Sequence, residues 1–66
     1  MVKIEFKSNE GLMFNIMFHK DPVRIVGFEY EDGIDVEKLR SLQAFNFSNE
    51  IEMKRTVNTM IPCKQV

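Results

Sequence analysis

Residues able to carry chemistry are few, for His19 is the only histidine and Cys63 the only cysteine. A zinc site needs three or four ligands from His, Cys and carboxylate, and one of each does not make one. His19 stands beside Lys20, Asp21 and Pro22, the setting of a solvated turn residue and not of a general base. No glycine opens a helix with a following Lys-Ser or Lys-Thr pair, so a phosphate-cradling loop is absent from the pattern. With no nucleophile and base spaced to meet, the chain reads as non-enzymatic, without metal or cofactor.

The densest feature is acidic. Glu29, Glu31, Asp32, Asp35 and Glu37 place five carboxylates within nine residues and no base among them. A calcium loop does not account for them: with Gly33 as the loop's sixth residue, positions one, three and twelve would be Phe28, Tyr30 and Leu39, none of which is a hard oxygen ligand. Two readings remain: a helix cap plus a soluble edge that discourages strand-to-strand aggregation, or an acidic patch that steers a basic partner.

The elements that position these residues follow from periodicity. Val2, Ile4 and Phe6 alternate with Lys3, Glu5 and Lys7, and Leu12, Phe14, Ile16 and Phe18 repeat the same parity; this is the period of strands with one buried face. A three-residue loop, Asn9-Glu10-Gly11, with Gly11 left-handed, joins them as a hairpin. It pairs Val2 with Phe18, Ile4 with Ile16 and Phe6 with Phe14. In the next segment Val23 and Ile25 are odd but Phe28 and Tyr30 even, so a bulge at Val26-Gly27 is expected. The expected pairs are Val23–Phe18 and Ile25–Ile16 before the bulge, and Phe28–Phe14 and Tyr30–Leu12 after it.

Asp35 is placed to cap a helix over about 36–45, with Ile34 and Leu39 as a hydrophobic staple. Val36, Leu39 and Leu42 would face the sheet, and Phe45 and Phe47 would join the core. Beyond, odd positions from Phe45 to Ile61 are largely apolar and the even ones from 46 to 58 polar, which favours an extended segment over about 50–61, parallel to an outer strand. A helix capped by Ser48 and ended by Pro62 is the alternative. A strand this long would overhang its sheet and need a second copy to satisfy its backbone. The expected fold is therefore α+β: one domain over 1–66, with a three-stranded antiparallel meander (about 2–7, 12–18 and 23–31) on one helix, expected to be a homo-oligomer.

Nine Lys and Arg against ten Asp and Glu leave a formal charge of −1, without the basic excess of a dedicated nucleic-acid binder. Phe6, Phe14, Phe18, Phe28 and Tyr30 all fall on the helix-covered side, where bases cannot stack on them. A lone cysteine excludes an internal disulfide, and with no export signal or membrane-spanning run the expectation is a cytoplasmic protein. The uncovered side of the meander would show Met13, Asn15 and Met17 inside a charged rim. Adaptable thioethers are favoured at the centres of interfaces; covering lysine stems are the plainer reading. The partner-binding candidates are thus Met13, Asn15, Met17, Glu29, Glu31, Asp32, Asp35 and Glu37, and the expected role is a small regulator or inhibitor of a larger protein. A structural homodimer, and a nucleic-acid regulator acting through Lys54, Arg55 and Lys64, are the alternatives.

Overall fold

The computed structural model describes residues 1–66 and is an α+β fold. In chain order it comprises β1 (Val2–Ser8), β2 (Met13–His19), β3 (Arg24–Tyr30), α1 (Val36–Leu42), α2 (Glu50–Met60) and β4 (Cys63–Gln65). The strands form one sheet in the order β3-β2-β1-β4, antiparallel throughout.

The first hairpin has the expected register, with Val2 opposite Phe18, Ile4 opposite Ile16 and Phe6 opposite Phe14. Gly11 takes φ +89°, a left-handed conformation that costs glycine little. Ser8 fixes this turn three times: its N–H donates to the Leu12 carbonyl at 2.8 Å, its carbonyl accepts from Gly11 N–H at 2.8 Å, and its hydroxyl accepts from Leu12 N–H at 3.1 Å. Phe6 and Phe14 stack at 5.3 Å.

The third strand is bulged as its parity switch requires, but two residues away from the expected pairing. Phe18 lies opposite Ile25, Ile16 opposite Phe28 and Phe14 opposite Tyr30, and the shift falls between Met17 and Phe18. The cause is Val23. Instead of pairing with Phe18 it leaves the ladder, and its carbonyl accepts the Phe47 N–H at 3.1 Å. The turn before it lengthens accordingly, with Asp21 at φ +61°, a conformation that Asp tolerates better than most residues.

Asp35 caps α1, accepting from Glu37 N–H at 3.1 Å and Lys38 N–H at 3.4 Å. The helix stops at Leu42, three residues before the expected end at 45. Gln43, Ala44 and Phe45 donate to carbonyls three residues back, the tightening of a terminating turn. Phe47 is buried as expected, but Phe45 is not, being 46 % exposed.

Residues 50–60 are a helix, so the favoured strand is overturned. Asn49, and not Ser48, caps it by accepting from Glu52 N–H at 2.9 Å. Met53 and Val57, one turn apart, are fully buried, whereas Ile51, which the strand reading needs inside, is 68 % exposed. Coverage decides the matter. At about 1.5 Å per residue, the seven residues of α1 span only about 10 Å, too little to roof this sheet, and a second helix completes the cover while satisfying its own backbone. Pro62 follows the α2 cap, Ile61, and the chain returns as β4, antiparallel to β1. The overhanging strand that called for a second copy therefore does not exist.

The core joins the even-parity side of β1 and β2 to both helices: Ile4, Phe6, Phe14, Ile16 and Phe18 pack with Val23, Ile25, Leu39, Leu42, Met53 and Val57. All helical cover is on this side. No helix is long and apolar enough to cross a membrane.

Candidate protein-binding face

The other side of the sheet carries no helix. Side chains opposite one another on neighbouring strands share a face, so the register sets out its rows: Lys7 beside Met13, then Glu5 beside Asn15 and Glu29, then Lys3 beside Met17 and Gly27. Lys64 on β4 lies opposite Lys7 and extends the first row. The strand alternation that builds the core thus also collects Met13, Asn15 and Met17 on the inner strand β2 of the open side.

Glu29 organises the middle row. Its Oε1 accepts from Asn15 Nδ2 at 3.1 Å and pairs with Lys3 Nζ at 2.9 Å, reaching across β2. The Lys3 hydrogen bond and then that from Asn15 hold the Glu29 carboxyl below the usual glutamate range, with the Lys3 charge adding to the effect. Asn15 spends its amide nitrogen here, while its Oδ1 is shielded from solvent and accepts nothing. A buried acceptor without a donor costs about 1–3 kcal/mol, and most such groups in folded proteins are satisfied. Met13, Asn15 and Met17 are each half-buried, partly sheltered by their charged neighbours. Gly27 gives the Met17 side chain room: a Cβ at that position would sit 3.3 Å from the Met17 methyl carbon.

The five acids do not form one free patch. Glu31 is folded back, its carboxylate accepting from Met13 N–H at 2.8 Å; Asp35 is spent on the α1 cap; Glu29 holds the middle row. Asp32 and Glu37 are exposed and their side chains make neither a hydrogen bond nor an ion pair. The edge is acidic, but three of its carboxylates are engaged in the molecule's own architecture.

His19 lies opposite Arg24 in the ladder. With Lys20, Asp21, Pro22 and Val26 the two line a cleft of about 420 Å³. A second cleft, of about 320 Å³, lies where Ser8 and Leu12 meet Ile34, Lys38 and Ile61. Cys63 is buried, and the loss of hydration pushes its thiol up from the ordinary value, which makes it a poor nucleophile. No group of three or more His, Cys, Asp and Glu side chains converges anywhere in the fold.

The basic residues of the tail part company. Lys54 pairs with Glu50 at 3.5 Å and Arg55 with Glu52 at 3.1 Å on α2, whereas Lys64 belongs to β4 and the open side. Sequence reasoning missed other exposed apolar groups: Val26 at 40 % and Tyr30 at 47 % on β3, and Ile51 on α2. A helical wheel centred on Met53 and Val57 puts Ile51 outside, and a bulge residue such as Val26 is left unpaired by definition. Comparison with known proteins returns no matching family model, no matching curated protein and no matching solved structure, so the chain's own geometry must carry its functional reading.

Proposed function

We propose that this chain is a non-enzymatic protein-binding module, a small regulator or inhibitor that occupies a surface of a larger partner through the open side of its sheet. The observation that carries the reading is that side itself. Two thioethers flank an amide whose acceptor has no donor, on an inner strand of a sheet roofed on its other side only. Thioethers adapt to an apolar partner surface, and the charged rim of Lys3, Lys7, Glu5 and Glu29 sets orientation and excludes mismatched partners. Asp32 and Glu37, the acids left free, add long-range steering at the edge. A domain of 66 residues acting by occupancy needs no catalytic group.

The test is affinity capture with three forms of the protein: the natural chain, Met13→Lys/Met17→Lys, and Ile51→Lys as a control on the helical side. A specific partner should be retained by the natural chain and the control and lost with the double variant. Equal recovery by all three would remove the open side from the account.

A further inference from the structure

Three segments far apart in the sequence meet and leave a cleft of about 320 Å³ between them: the first hairpin turn, the loop before α1 with the first turn of that helix, and the exit of α2. Its floor is apolar, made by the buried Ile34 and Ile61 with the half-buried Leu12. The walls are fixed. Asn9 N–H donates to the Pro62 carbonyl at 3.0 Å and ties the turn to the α2 exit. Gly33, at φ +102°, brings its loop onto Leu12 so closely that a Cβ there would sit 3.0 Å from a Leu12 methyl carbon. Small-molecule sites are concavities of about this size and upward, apolar but for a few placed polar groups.

Ser8 supplies such a group. It lines the cleft and is only 8 % exposed, and its Oγ accepts from Leu12 N–H while its own hydroxyl proton goes to no group of the protein. A hydroxyl offers one donor besides its lone pairs, and buried donors are normally used. Around the rim stand Glu10, Asp35 and Lys38, all exposed and none in an ion pair. Asp35 spends Oδ1 on the α1 cap and keeps Oδ2. Lys38 follows three residues on, a spacing that makes side chains neighbours on a helix surface.

We infer that this cleft binds a small aliphatic α-amino acid. A ligand with both charges on one carbon beside an apolar side chain uses every feature: the side chain covers Leu12, Ile34 and Ile61, the carboxylate accepts from Ser8 O–H and faces Lys38, and the ammonium faces Glu10 and Asp35. The rim also rejects the alternatives. A simple cation would meet Lys38, and a simple anion would meet two carboxylates, so each carries a repulsive contact that the zwitterion balances. None of these residues belongs to the open-side rows, and the inference does not rest on the proposed function.

Nuclear magnetic resonance titration of the natural chain with L-leucine tests it, with isopentylamine and isocaproate as the analogues that keep one charge each. L-leucine should move the Leu12, Ile34 and Ile61 methyl signals saturably, with a dissociation constant of about one millimolar or below, and leave the Met13 and Met17 methyls unmoved. Each analogue should bind about tenfold more weakly or worse. Lys38→Gln removes an exposed charge without touching the fold; it should weaken L-leucine by about threefold to fivefold, the scale of an exposed charge pair, and leave isopentylamine no weaker. No saturable shift up to about twenty millimolar L-leucine overturns the assignment. So does equal binding of L-leucine and either analogue, or a Lys38→Gln protein that binds L-leucine as well as the natural chain.

Discussion

The two sides of the sheet are made by the same strands and differ in nearly every physical respect. On the roofed side, Phe14, Ile16 and Phe18 are sealed beneath Leu39, Leu42, Met53 and Val57, and the only buried polar side chain of the whole molecule, Ser8, has its hydroxyl bonded to Leu12 N–H. On the open side, alternate residues of the same strands are half-buried or exposed, with charges joined across three strands and an asparagine oxygen left without a donor. One side therefore specifies the fold. The other is under little obligation to it and is free to carry binding.

That division can be broken most forcefully in the core. Phe18→Ala should cost about 3–5 kcal/mol, comparable to the whole stability of a domain this small, and urea unfolding should find the variant largely unfolded. A loss below about 1 kcal/mol would mean that the roofed side is not the structural one. Next in size are the helix caps. Asp35→Ala and Asn49→Ala should each lower stability by about 1 kcal/mol, and a shift in the urea midpoint at unchanged slope would show it. The Asn49 variant also tests the assignment of residues 50–60, since a strand there would not respond to loss of a cap.

Asn15→Val should leave stability unchanged or raise it by up to about 1 kcal/mol, because it removes an unsatisfied acceptor from a strand position that suits valine, yet it should weaken partner capture. A clear destabilisation would show that the amide serves the fold. The smallest effect concerns Glu29. Its carboxyl is lowered in the folded state, so its ion pair supports the fold above the ordinary glutamate range and is lost as pH falls through the lowered value. Lys3→Gln should move the Glu29 titration back toward that range, as read by carbon chemical shifts, with little change in unfolding at neutral pH because the pair is exposed.

What was legible in the sequence was local. Alternation over residues 2–18 with Gly11 between the runs settles a hairpin register, since a one-residue slip would turn every apolar group outward, and Asp35 beside Ile34 announces its cap. The rest hinged on distant partners. Residues 45–61 satisfy a two-residue period as well as a helical one; what separates them is the uncovered sheet beyond the short α1, which no local window contains. The register of β3 depended on Val23 being drawn off by Phe47, more than twenty residues later. At the candidate site, parity correctly grouped Met13, Asn15 and Met17, but reading acids as charges could not reveal that Glu31 and Asp35 are spent on backbone N–H groups.

The claim underneath all of this is that the open side contributes recognition and not stability. It is tested most directly by the urea midpoint of Met13→Lys/Met17→Lys, the same protein used for capture. The midpoint should stay close to that of the natural chain, within the range of about 0.5 kcal/mol per site usual for surface changes. A fall as large as that of Phe18→Ala would contradict it, for the two thioethers would then belong to the core.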